Sequence, residues 1–341
     1  MARFITIEEH YLSPLLPEEK VRYNRPSVKD FGTAVIDKLG DLGPARLEAM
    51  ANDSVAMTVL SHLPATPEPS VCTAVNNDLY SKIEKHPDQY AAFALLPLED
   101  PEAAAEELRR CVKDLGFVGA LTGNHLDDGS FFDTPQYYPL WEAAQELEVP
   151  IYIHPTFADE SEMKVNFEGP YDIEIAKALS AWGWGWHSRT SLHFLRLFAA
   201  GTFDRFPKLK IILGHMGEML PFMLDRIVRS SSKWPPSDFR KRGLREVWDN
   251  NVWVTTSGMF SLAPMACLLQ ETKSERVIFS IDYPFSTNDM GREFMEKLKG
   301  SGLVNDEEWE GIAWKNVKNL LRLKFEPPKS NKRRANSDIE R

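Results

Sequence analysis

The chain predicts an α/β fold, a (β/α)8 TIM barrel with insertions in its βα loops. Three observations carry that expectation. Eight short runs rich in β-branched and aromatic residues alternate with amphipathic stretches of helical spacing. Most runs are nearly continuous in apolar character, as strands of a parallel sheet covered on both faces must be. Several end abruptly in a histidine or a carboxylate, and a barrel gathers its strand ends at one rim. A length of 341 residues holds one such barrel with insertions, and 43% hydrophobic content supplies its core.

Phe4 to Tyr11 reads as the first strand. A Pro-rich stretch of about 12–44 follows, with Pro14, Pro17 and Pro26 and no clear period. That is long for a connection and predicts a functional loop over one mouth of the fold. A helix from Ala45 to Ala51 leads to the strand Val55–Ser61, and helical spacing over Ser70–His86 to the strand Tyr90–Leu96. Pro101 opens a helix that runs to Leu115. Phe117–Leu121 is the fourth strand, Tyr137–Leu147 a helix and Val149–His154 the fifth strand. An excursion carrying Trp182, Trp184 and Trp186 precedes the helix Leu192–Ala200. Leu209–His215, Val252–Thr256 and Val277–Asp282 complete the set of strands. No Gly-rich phosphate fingerprint follows strand one, which argues against a dinucleotide-binding sheet. The barrel is expected to span 1–325, with a polar tail over 326–341 that predicts disorder.

A net charge of −10 argues against nucleic acid or an anionic membrane as partner. No apolar run has the length of a transmembrane span, and no basic segment followed by an apolar one opens the chain. Cys72, Cys111 and Cys267 lie far apart without paired spacing, so they read as reduced core thiols of a cytoplasmic protein.

The strand ends carry the chemistry. Residues two apart in a strand share a face, so Glu8 and His10 point together and Glu9 points away. The other ends contribute His154, His215 and Asp282. Each has a plain structural reading: a lone histidine at a strand end is more often structural, and Asp282 alone reads as a helix cap ahead of Pro284. Four strands that deliver ligand-type residues to one rim are harder to dismiss. Two kinds of donor, imidazole and carboxylate, suit a single divalent ion with an open position.

The motifs Glu8-x-His10, Pro150-Ile-Tyr-Ile-His154-Pro155, Gly214-His215-Met216-Gly217-Glu218, Thr255-Thr256-Ser257-Gly258 and Ser280-Ile281-Asp282-Tyr283-Pro284-Phe285 resemble the amidohydrolase superfamily. More narrowly, they resemble its metal-dependent, non-oxidative hydroxybenzoate decarboxylases, to which aminocarboxymuconate semialdehyde decarboxylase is related. The resemblance runs from Phe4 to about Leu323 and keeps the order of the motifs. It implies that Glu8, His10, His154 and Asp282 hold one divalent metal, zinc first with manganese or magnesium as alternatives. It makes His215 the catalytic histidine with Glu218 as its partner, and Asp282 the proton donor. Arg226 would reach a neighbouring subunit's site, which implies a homo-oligomer, a dimer or tetramer, and Phe285 would pack on the substrate ring. Binuclear relatives carry a bridging Lys or Glu at the end of strand four. This chain has Leu121-Thr122-Gly123 there, so a single metal is expected.

The expected reaction is decarboxylation of an o-hydroxybenzoate of the 2,3-dihydroxybenzoate or salicylate type, reversible in high bicarbonate. A metal-dependent lactone or amide hydrolase on the same barrel is the rival, and a non-catalytic barrel the second. His62, Tyr23, Arg22 and Arg46 are candidate substrate contacts. Surface or supporting roles are expected for His86, His125 and His187, and a buried core role for His193. The three tryptophans read as a lid or as packing under the long loop.

Overall fold

The computed structural model describes residues 4–17 and 32–325. Tyr23, Arg22, part of the Pro-rich stretch and the 326–341 tail lie outside the described residues. Eight parallel strands alternate with helices: β1 (Phe4–Tyr11), β2 (Val55–His62), β3 (Tyr90–Ala92), β4 (Ala120–Gly123), β5 (Pro150–His154), β6 (Lys210–Leu213), β7 (Val252–Thr255) and β8 (Val277–Ile278). The main helices are α1 (Thr33–Gly40), α2 (Pro44–Asn52), α3 (Pro69–Ile83), α4 (Pro101–Asp114), α5 (Tyr138–Leu147) and α6 (Ile173–Ser180). They continue with α7 (Gly185–Ala199), α8 (Leu220–Ser231), α9 (Leu244–Asn251), α10 (Leu262–Glu271), α11 (Asn288–Gly300) and α12 (Asn316–Leu321).

This is the expected TIM-barrel architecture, with its ladder interrupted between β3 and β4 and between β8 and β1 among the described residues. The ladder divides into β1–β3 and β4–β8, each in sequence order and parallel. The two parts meet at a single bridge, Ala94 to Ala120, where the expected long third strand has shortened to Tyr90–Ala92. Strand eight also stops early, at Ile278, because Asp282 has a left-handed backbone that no extended strand accepts.

Inward-facing residues fill the barrel. Ile5, Ile7, Met57, Val59, Phe93, Leu121, Tyr152, Ile212 and Ile278 form one cluster, closed below by Leu320, Leu321 and Phe325 at the end of α12. The alternate residues Phe4, Leu60, Ile151, Ile153, Ile211 and Leu213 face outward into the helical layer. Each large side chain so buried contributes about 1.5–3 kcal/mol, so the lower barrel is a rigid platform for whatever stands on its upper rim.

Candidate metal centre and active site

Strand one does not keep its alternation. Ile5 and Ile7 point into the barrel, so an unbroken strand would send Glu9 inward and Glu8 outward. A bulge reverses this: Thr6 pairs with Thr58 and Glu9 with Leu60, three residues against two, and Glu8 takes φ 59°. One extra residue switches the face, so Glu8 and His10 enter the barrel above the apolar layer. The two do share a face as expected, but a slip in register puts them on the productive one.

Their ligand atoms join those of His154, at the end of β5, and Asp282, beyond β8. All four lie within 4.8 Å of one another. Glu8 Oε1 is 3.1 Å from His154 Nε2, and His10 Nε2 is 3.2 Å from Asp282 Oδ1. Yet Glu8 Oε1, His10 Nε2 and Asp282 Oδ1, all buried, have no hydrogen-bond partner. Orphaned buried polar atoms cost about 1–3 kcal/mol each, more when charged. Their convergence on one point is what a divalent cation relieves. His154 Nδ1–H donates to the Pro155 carbonyl at 2.7 Å, which leaves the Nε2 lone pair facing the Glu8 carboxylate. Two such acceptors repel unless a cation or proton lies between them. Glu8 Oε2 is held from behind by the hydroxyls of Tyr152 and Ser257, with Thr255 Oγ1 at 3.4 Å.

His215 stands two residues past β6 in a turn where His215, Met216, Glu218 and Met219 all have positive φ. Such backbone costs about 1–3 kcal/mol per residue and concentrates at functional sites. The turn aims His215 Nε2 at the two carboxylates of this group, 3.8 Å from Asp282 Oδ2 and 3.9 Å from Glu8 Oε1. His215 Nδ1–H donates to Glu218 Oε1 at 2.8 Å, and His187 Nδ1 meets Glu218 Oε2 at 2.7 Å. Burial alone would depress the His215 imidazole, but the charges of Glu218 and Glu8, the nearby Asp282 carboxylate and the hydrogen bond to Glu218 hold it well above its ordinary value. Burial would raise Asp282, but His10 and His215 beside it hold the carboxyl below the usual range, at about 2. His187, His215 and Glu218 form a second group of donor-type residues, and here each carboxylate oxygen already has its imidazole.

A cavity of about 390 Å³ opens over these groups, lined by His154, His215, Asp282, His187, Trp182, Trp186, Phe285, Met259, Val35, Gly258 and Ser286. Phe285 lies 5.6 Å from His10, centroid to centroid. Trp182 and Trp186 meet edge to face at 6.0 Å and form one wall, with Trp182 also exposed to solvent, whereas Trp184 does not line the cavity. Arg226 is exposed on α8 and takes no part in lining this cavity. His62 is buried and does not line the cavity, and both its nitrogens are engaged: Nε2 accepts from the Ser13 N–H and Nδ1 donates to the Leu63 carbonyl. Arg46 is buried and donates to the His10 carbonyl at 2.7 Å. His193 is the core histidine expected, lowered to about 3 by burial.

Sequence reading gave Tyr152, Ser257 and Glu9 no role in the site, and His187 only a surface or supporting one without its partner. Tyr152 carried a signal, since it lies two before His154 on β5 and must share its face. His187 carried none, because only the packing of α7 against the His215 turn brings it to Glu218. Glu9 does face away from the metal group, and burial pushes its carboxyl up to about 8 against Arg46 and two backbone N–H groups.

A parallel barrel with two histidines and two carboxylates at its strand ends is the architecture of a metal-dependent enzyme. The chain belongs to the amidohydrolase family, whose profile matches residues 44–323. It is 46% identical over 323 residues to the decarboxylase orsB of Emericella nidulans, covering 94% of this chain and 97% of that one. A crystal structure of a 2,6-dihydroxybenzoate decarboxylase complexed with 2,6-dihydroxybenzoate superposes with a TM-score of 0.84 at 32% identity, covering 95% and 100% of the chains. A dihydroxybenzoic acid decarboxylase from Polaromonas with bound manganese and 2-nitroresorcinol gives 0.82 at 30% identity, over 95% and 98%. Among the described residues no helix is long and apolar enough to cross a membrane.

Proposed function

We propose that this protein is a metal-dependent carboxy-lyase that removes CO2 from an o-hydroxybenzoate without an oxidant. One observation carries the reading: an orphaned donor set of Glu8, His10, His154 and Asp282 faces an aromatic-walled cavity. These four residues would hold one divalent ion. The two imidazoles favour zinc, while the Polaromonas relative holds manganese, which the two carboxylates also suit. When bound, the cation favours the ionised phenol and fixes the acid by neighbouring oxygens, worth several kcal/mol.

The residues of the chain do the rest. Phe285, Trp182 and Trp186 provide flat apolar walls that exclude water from the ring. Loss of CO2 directly from the aromatic ring would leave an unstabilised aryl anion. The ortho hydroxyl makes the carboxyl-bearing carbon basic instead, so a proton adds there first. His215 carries that proton on Nε2, with Nδ1 fixed by Glu218, and Asp282 Oδ2 beside it passes the proton to the ring carbon. The C–C bond then breaks, its electron pair restores the aromatic ring, and CO2 leaves. Glu218 on Nδ1 and the carboxylates of Glu8 and Asp282 near Nε2 make His215 the proton's resting place.

Finer points extend the reading. The three free thiols support a cytoplasmic protein. Exposed Phe222 and Arg226 on α8 support a homo-oligomer in which Arg226 enters a neighbour's cavity. Metal analysis, with ultraviolet loss of 2,6-dihydroxybenzoate, 2,3-dihydroxybenzoate and salicylate and measured CO2, tests the whole. Ring opening without gas, or an active metal-free protein, would overturn it.

A further inference from the structure

This inference rests on the metal-site reading and concerns Glu9, which that reading leaves unused. Asp282 lies four residues beyond the end of β8, and no ladder joins β8 to β1 among the described residues. The segment is tied to β1 in another way. The Ile281 N–H donates to Glu9 Oε1 at 3.1 Å and the Tyr283 N–H to Glu9 Oε2 at 2.9 Å. One carboxylate thus grips the amides on both sides of Asp282. The His10 N–H returns a bond to the Tyr283 carbonyl at 2.7 Å, and Ser280 Oγ donates to the Ile7 carbonyl. Glu9 is 2% exposed, and buried Arg46 beside it donates to the His10 carbonyl and stacks 4.6 Å over Tyr283.

The bulge at Glu8 explains why Glu9 is available. The same slip that turns Glu8 and His10 inward turns Glu9 toward β8, where its two oxygens do what a neighbouring strand's carbonyls would do. A peptide ladder would draw residues 280–283 into extended conformation. Asp282 instead has φ 71°, and Glu9 holds the two amides that flank it. We infer that Glu9 is a positioning residue, which fixes Asp282 in the metal centre by clamping the amides of Ile281 and Tyr283.

Zinc affinity, measured on the full chain by chelator competition, tests this. Glu9→Gln keeps the shape but offers one acceptor oxygen and sets an NH2 against the other amide. Its zinc affinity is expected to fall about 10- to 100-fold, the range for partners that orient metal ligands. kcat should fall with it. In an Asp282→Asn background the same Glu9→Gln change should cost little more, because its effect runs through Asp282. An equal loss in both backgrounds, or wild-type affinity with only a lowered Tm, would overturn the inference and leave Glu9 a structural residue. Glu9→Asp keeps a carboxyl beside Arg46, reaches one amide, and serves the same cycle should Glu9→Gln not fold. If Asp282→Asn alone binds zinc like the wild type, the metal reading itself fails.

Discussion

Glu8 and Glu107 are both buried carboxylates among polar neighbours, and they differ in how far their oxygens are satisfied. Glu107, on α4, accepts from Asn76 Nδ2 at 2.7 Å, Arg110 Nη2 at 2.7 Å and Cys111 Sγ on one oxygen. Its other oxygen takes Arg110 Nε at 2.8 Å and Thr73 Oγ1 at 3.1 Å. Asn76 passes the order on, exchanging two bonds with the backbone of Leu95 and so holding the chain after β3. Glu8 has one oxygen crowded by hydroxyls and the other bare, opposite His154. The satisfied cluster ties α3 to α4 and needs nothing more. The unsatisfied one gathers orphaned buried atoms that a divalent cation would fit, as functional sites rather than structural clusters do.

The sharpest way to break that contrast is to remove a donor from each cluster. His10→Ala should lower CO2 release by about a thousandfold, the rate equivalent of the several kcal/mol a bound cation supplies, while circular dichroism stays native. Wild-type turnover by that variant would end the distinction. Glu107→Ala should do the opposite. It strands Arg110 and Asn76 and should cost about 3 kcal/mol in urea unfolding, with kcat per folded molecule unchanged.

Metal removal gives the next largest effect. Saturating metal at about 100 times its Kd adds about 2.7 kcal/mol, so chelation should lower the Tm of the wild type and not of His10→Ala. An equal drop in both proteins would place the stabilising metal elsewhere.

The smallest effect is in the acid limb of stability. Burial would raise Glu107, but hydrogen bonds from Arg110 and Asn76 outweigh it and hold the carboxyl below its ordinary value. Its contribution is therefore complete above the unfolded carboxylate value and lost as pH falls through the lower folded one. Glu107→Gln should flatten the acid fall in stability, and an unchanged acid profile would show that the pair contributes nothing there.

The sequence by itself determined the barrel, the order of its strands and which residue types end them. Near-continuous apolar runs at strand length leave a parallel sheet as their only comfortable home, and His154 is the last residue of its strand. It also determined that Glu8 and His10 share a face, because that follows from a period of two. Only the tertiary structure decided which face. The bulge at Glu8, the left-handed turn at His215 and the bent segment at Asp282 are each unfavourable locally, so no propensity announces them. They persist because distant groups hold them: Glu9 grips the amides beside Asp282, and Gly214 leaves room where a Cβ would sit 2.8 Å from the Tyr152 hydroxyl. His187 came to the site in the same way, through packing between elements that sequence spacing does not encode. Local pattern writes the platform, whereas the chemistry stands where long-range contacts overrule local preference.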